Sequence, residues 1–171
     1  MSKLKKYKMF IDGEWVDSES KKTFKTLNPE TNEPWAEVPE ANEKDIDKAV
    51  KAAQKAFEGS WPSLFPRERA SYLRAIANEL RENAELLGKI ETIDTGKLFK
   101  ETKNQANYIA EYYDYYAGLA DKVEGTVLPI DKANMQVITT RVPIGVVAAI
   151  IPWNSQMLLT AVKLAPALAM G

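Results

Sequence analysis

One polar residue stands where chemistry would need it. The stretch Ile144-Gly145-Val146-Val147-Ala148-Ala149-Ile150-Ile151 is uninterrupted apolar sequence, and Pro152-Trp153-Asn154-Ser155 closes it. Leu158, Leu159, Val162 and Ala165 then recur at helical spacing. An apolar run rich in β-branched residues suits a strand covered on both faces, as in a parallel sheet. Proline has no N–H to give a ladder and ends it. The pattern predicts a strand, a tight turn and a helix, with Asn154 at the turn. Ligands of open α/β sheets bind at the carboxyl ends of the strands, so Asn154 faces the ligand side. A side-chain amide donates a hydrogen bond without carrying or losing a proton. Asparagine is also a good helix N-cap, and this pattern alone leaves both roles open.

Other chemical groupings are sparse. The chain has no cysteine, hence no thiol nucleophile and no disulfide, and no histidine, the usual catalytic base and transition-metal ligand. Glu82, Glu85, Glu91 and Asp94 fall on helical sequence and read mostly as a solvated face. The tyrosines at 108, 112, 113, 115 and 116 read as packing rather than a ligand box. Lys3, Lys5, Lys6 and Lys8 read as a solvated tail. With 45% hydrophobic and 27% charged residues and a net charge of −1, the composition is that of a soluble globular protein. It gives no reason to expect a nucleic-acid partner. Val142 to Val162 carries no charge and is long enough for a bilayer. Pro143, Gly145, Pro152, Asn154, Ser155 and Gln156 interrupt it, so a span is not expected. No secretory apolar segment is recognised, and a cytoplasmic location is expected.

The elements that must position Asn154 can be read in order. Tyr7 to Val16 alternates around Asp12-Gly13 and predicts a hairpin. Thr23 to Leu27 and Trp35 to Val38 read as short strands. Asn42 is an N-cap with Asp45 three residues on, and Ile46, Ala49, Val50, Ala53 and Phe57 make one helical face. Gly59 to Pro66 is a loop. A second helix covers Arg67 to Glu82, with Ala70, Leu73, Ala77 and Leu80 inward. A third carries Leu86, Leu87, Ile90 and Ile93 and ends at Gly96. The fourth runs from about Phe99 to Leu119, with Ala106, Ile109, Tyr113 and Tyr116 on one side. Val123 to Pro129 and Met135 to Val142 read as two strands joined around Asp131-Lys132-Ala133-Asn134. A lone ribbon of this kind needs a partner.

Several separated motifs, in order, resemble the aldehyde dehydrogenase superfamily. They are Phe10-Ile11-Asp12-Gly13-Glu14-Trp15-Val16, Asn28-Pro29-Glu30-Thr31, Glu91-Thr92-Ile93-Asp94-Thr95-Gly96-Lys97, Tyr116-Ala117-Gly118-Leu119-Ala120-Asp121-Lys122, Pro143-Ile144-Gly145-Val146-Val147, Ile151-Pro152-Trp153-Asn154 and Lys163-Leu164-Ala165-Pro166-Ala167-Leu168-Ala169. The resemblance covers the whole chain as the family's N-terminal part. It implies an α/β fold in which 1–122 are N-terminal strands and helices of the cofactor-binding domain, 123–142 an oligomerisation β-ribbon, and 143–171 the first strand-turn-helix of a Rossmann-like unit.

The implied reaction is NAD- or NADP-dependent oxidation of an aldehyde to an acid. A cysteine thiolate attacks the carbonyl, preorganised donors stabilise the oxyanion while hydride leaves for nicotinamide, and a glutamate activates water to hydrolyse the thioester. By resemblance Asn154 is an oxyanion donor, and the backbone of Ile150, Ile151, Pro152 and Trp153 lies along the nicotinamide side. Ser155, Leu159 and Val162 line a substrate tunnel, wider than one lined by aromatics. Thr26, Leu27 and Asp94 hold an alkali cation, oxygen ligands suiting hard cations. A homodimer or homotetramer is implied. The sequence departs from the family pattern in the absent cysteine, and in Ser155-Gln156 where many members have a bulky residue and proline. The glycine-rich cofactor turn and the glutamate base normally follow Gly171. The 171 residues are therefore read as the N-terminal piece of a longer enzyme and expected to be inactive alone. The alternatives are a non-catalytic assembly fragment and a CoA-acylating semialdehyde dehydrogenase.

Overall fold

The computed structural model describes residues 4–171. Its first part is a small β layer. Strands β1 (Lys5–Lys6), β4 (Thr23–Asn28) and β5 (Glu33–Pro39) form one sheet in the order β1-β5-β4, with β1 parallel and β4 antiparallel to β5. The register of β4 on β5 shifts between Thr26 and Leu27, a bulge. Strands β2 (Met9–Ile11) and β3 (Glu14–Val16) make the expected hairpin, pairing Phe10 with Trp15 across the Asp12-Gly13 turn. The amino-terminal lysines are not simply a solvated tail. Lys5 and Lys6 align with Ala36 and Glu37, and Lys6 pairs with Glu37 at 3.2 Å. Lys3 lies outside the described residues.

Four helices follow: α1 (Glu43–Glu58), α2 (Pro66–Glu82), α3 (Ala84–Thr95) and α4 (Phe99–Leu119). Their ends follow local chemistry. The Asn42 side chain accepts from the Asp45 amide while Asp45 accepts from the Asn42 amide, a complete capping box. Helix α2 opens with Pro66, whose missing N–H costs nothing in the first turn. Helix α3 ends at Gly96, left-handed at φ 75°, whose N–H bonds Thr92 O at 2.9 Å.

The core sits between α2, α4 and a last helix, α5 (Gln156–Met170). Leu73 and Ala77 of α2 meet Ile109, Ala110, Tyr113 and Ala117 of α4 and Ala161, Ala165 and Ala169 of α5. The alanines let three helices approach closely, and the tyrosine reading holds for Tyr112, Tyr113 and Tyr116, which are packed in this core or against it. Burial pushes the Tyr113 hydroxyl above its ordinary pKa. Tyr108 and Tyr115 remain exposed.

Two expectations are corrected. The ribbon forms antiparallel but only as β6 (Val127–Leu128) and β7 (Val137–Ile138), much shorter than the predicted strands. Two unsupported strands are marginal, and here the pairing is fixed locally where Thr139 N bonds Thr126 O at 2.8 Å. The run Ile144 to Ile151 carries no ladder at all. Ile144 and Ile150 are each 92% exposed, and Gly145 takes φ 104°, outside the strand region. A buried parallel strand needs neighbours on both edges and cover on both faces, and no described segment of this chain supplies them.

Candidate active-site turn

Pro152 closes the apolar run with extended backbone, and Trp153–Ser155 make one 3-10 turn that leads into α5. Asn154 lies on that turn and is exposed. The N-cap position of α5 belongs to Ser155, and no side-chain capping bond is made there. Asn154 is therefore not the helix cap that its residue type and position allowed, and its amide remains directed by the turn alone. Beside it, Ile150 is fully presented and Trp153 is 57% exposed.

The residues after Asn154 are held differently. Ser155 is only 8% exposed. Its hydroxyl oxygen accepts from Lys97 Nζ at 2.9 Å and from Gln105 Nε2 at 3.3 Å. Lys97 Nζ also pairs with Glu91 Oε1 at 3.1 Å, and Glu91 is 4% exposed. Gln156 Nε2 donates to Asp94 Oδ2 at 2.8 Å. Glu91 and Asp94 are thus not part of a wet helix face. Asp94 is half-buried and accepts three bonds, the other two on Oδ1 from the Thr26 hydroxyl at 2.6 Å and Trp35 Nε1 at 3.2 Å. Sequence reasoning missed Lys97, Glu91, Gln105 and Gln156. The available signal was the spacing of Glu91, Asp94 and Lys97, which lines them up on one side of the end of α3.

Of the expected tunnel residues, Leu159 and Val162 are half-buried on α5, while Ser155 turns inward to Lys97. An apolar recess of about 450 Å³ lies beside the turn, lined by Trp153, Gln156 and Met157 with Trp35 and Ile90. For the expected alkali-cation site, the structure brings Thr26 to Asp94 and places the β4 bulge between Thr26 and Leu27. The three donors leave one of the carboxylate's roughly four acceptor positions free. Among the described residues no cluster of three acidic, histidine or cysteine side chains could hold a metal, and no helix is long and apolar enough to cross a membrane.

The order of β layer, four helices, ribbon and the turn that carries an exposed asparagine into α5 is that of the N-terminal part of the aldehyde dehydrogenase fold. Betaine aldehyde dehydrogenase of Staphylococcus aureus, a point mutant solved in complex with NAD+, superimposes with a TM-score of 0.91 at 38% identity, over 96% of this chain and 34% of that one. A 3,6-anhydro-L-galactose dehydrogenase solved in complex with NAP superimposes with a TM-score of 0.90 at 30% identity, over 96% of this chain and 34% of that one. The aldehyde dehydrogenase family matches residues 15–171, and the chain belongs to that family. Among curated relatives, (Z)-2-((N-methylformamido)methylene)-5-hydroxybutyrolactone dehydrogenase of Acinetobacter baylyi is 46% identical over 98% of this chain and 34% of its own length. Aldehyde dehydrogenase 1 of Tanacetum cinerariifolium is 46% identical over 96% of this chain and 33% of its own length. The chain spans about a third of the length of these relatives.

Proposed function

We propose that the full-length protein oxidises an aldehyde to a carboxylic acid with NAD+ or NADP+, and that these 171 residues supply its oxyanion-binding turn. The observation that carries the reading is Asn154: exposed, at the mouth of the turn, and free of the capping role that would otherwise explain it. Its amide N–H donates to the aldehyde oxygen as negative charge develops there. A fixed neutral donor of this kind suits the task because it needs no reorganisation during the reaction.

Ile150, Ile151, Pro152 and Trp153 would hold the nicotinamide side of the cofactor. They fit it: the side chains of Ile150 and Trp153 offer bare apolar surface to a flat ring, and the run through Ile151 spends no backbone group on a ladder. Bound there, the cofactor supplies the hydride acceptor. Leu159 and Val162 would leave a wide approach for the substrate, past a small Ser155 whose hydroxyl is drawn inward to Lys97. Thr26, Leu27 and Asp94 are proposed to take an alkali cation through two carbonyls and the acceptor position still open on the Asp94 carboxylate. The thiolate that attacks the aldehyde must come from outside these residues, since the chain holds no cysteine. The 123–142 ribbon would join subunits into a dimer or tetramer.

The test is aldehyde-dependent reduction of NAD+ and NADP+ by the full-length protein over a panel of aldehydes, with the product identified as free acid. The chain ending at Gly171 is expected to give none. Absence of reduction by the full-length protein with every aldehyde, or turnover by the 171-residue chain, would overturn the proposal.

A further inference from the structure

Among the described residues nothing hydrogen-bonds the Asn154 side chain, so its direction follows from the backbone between Pro152 and Gln156. That backbone is clamped on its C-terminal side. Ser155, the residue after Asn154, is turned away from helix α5 and bonded to Lys97 at 2.9 Å and Gln105 at 3.3 Å. Gln156, the next, is bonded to Asp94 at 2.8 Å. The bonds to Lys97 and Asp94 run to the end of α3, and the longer one to Gln105 runs to α4.

The position of Lys97 is in turn dictated by Glu91. A buried carboxylate must be paired, and among the described residues Glu91 is paired with Lys97 alone, at 3.1 Å. An ammonium has three protons to donate; one goes to Glu91 and a second to Ser155. The lysine follows Gly96 at the stop of a rigid helix, so its reach is fixed at the base as well as the tip. A surface lysine would spend its flexibility in forming such a bridge, but Lys97 is held at both ends.

We propose that Lys97, held by Glu91, is a positioning residue for the Asn154 turn and acts on it through Ser155. The catalytic consequence rests on the reading of Asn154 as oxyanion donor; the tether itself does not. Misplacing a catalytic group by about 1 Å costs on the order of 100-fold in rate, so a slackened turn reads out in kcat.

The experiment uses the full-length protein carrying Lys97→Met. Because that change leaves Glu91 buried without a partner, the charge-balanced double variant Glu91→Gln/Lys97→Met is made alongside. Three quantities are read: kcat with the cofactor KM, the same kcat change in an Asn154→Ala background, and the fluorine NMR resonance of 5-fluorotryptophan at Trp153, assigned with Trp153→Phe. The expected result is a kcat loss of about 10- to 100-fold with the cofactor KM little changed. The loss disappears once Asn154 is alanine, and the Trp153 resonance broadens or splits. An unaltered Trp153 resonance in the double variant overturns the tether, whatever the activity. A kcat loss of the same size in the Asn154→Ala background overturns action through Asn154. Near-normal kcat in Asn154→Ala alone defeats the oxyanion reading and the catalytic role of Lys97 with it, while the resonance still decides the tether.

Discussion

Arg69 shows how much a single side chain can carry without touching the site. It is buried in α2, and no carboxylate pairs with it among the described residues. Its guanidinium instead donates from Nε to Ala169 O at 3.1 Å and from Nη1 to Leu64 O at 2.7 Å. The first bond satisfies a carbonyl in the last turn of α5, where no helical N–H remains to do so. Hydrogen bonds to charged groups contribute about 1.5–3 kcal/mol each, partly offset by the cost of burying the charge. Arg69→Met keeps the stem and should lower stability by about 2 kcal/mol, since both carbonyls lose their donor. Arg69→Lys should not restore it, because an ammonium lacks the planar fork that reaches two carbonyls at once. Thermal unfolding of the full-length variants checks this; unchanged melting in Arg69→Met would contradict it. Nothing in the sequence marks Arg69 apart from other arginines on an amphipathic helix, because its partners are backbone carbonyls, which carry no residue-type signal, and one of them lies a hundred residues along the chain. The turn that holds Asn154 is legible for the opposite reason: Pro152 and the helical spacing from Leu158 lie within a few residues of it.

At the level of elements, the legible features are those with local causes. The Asn42-Asp45 capping box and Gly96 at a helix end are each set within one turn of sequence, and each is where the sequence predicts it, while Pro66, read as the last residue of a loop, opens α2 one residue before the predicted start. The Ile144 to Ile151 run was misread because a strand is a relation between segments, and its apolar pattern says nothing of whether neighbours exist. The bond between Ser155 and Lys97 is not legible in the sequence, because a small polar residue gives no hint of a lysine fifty-odd residues earlier that binds it. The α3–α4 crossing depends on Gly88. A Cβ there would lie 2.8 Å from Lys103 N and 2.9 Å from Lys103 Cα, backbone atoms that cannot swing aside. Thr102 Oγ1 also donates to Gly88 O at 2.9 Å across the same crossing. Gly88→Ala gains about 1 kcal/mol of helix propensity, against about 1–3 kcal/mol of overpacking. Against rigid backbone the second effect wins, so the variant should be less stable, with α3 pushed from α4. A rise in melting temperature would show that the crossing relaxes freely.

For the whole molecule, the exposed apolar surface is the dominant fact. Ile138, Val127, Ile144 and Ile150 face outward, in a chain that spans a third of its relatives' length. The β6–β7 ribbon projects two short strands with open edges, which invite pairing. If it joins subunits as proposed, replacing Val137 and Ile138 by charged residues should reduce the mass of the full-length protein in solution to that of smaller species. An unchanged oligomer by light scattering would count against it. The central claim is that the turn of this chain stabilises the oxyanion. The most direct measurement is kcat of full-length Asn154→Ser with the chemical step shown to be rate-limiting. Serine caps helices as well as asparagine does, so folding and any capping need survive while the amide donor is lost. The account predicts a fall in kcat of about 10²–10³ with little change in cofactor affinity; near-normal kcat in the folded variant would contradict it.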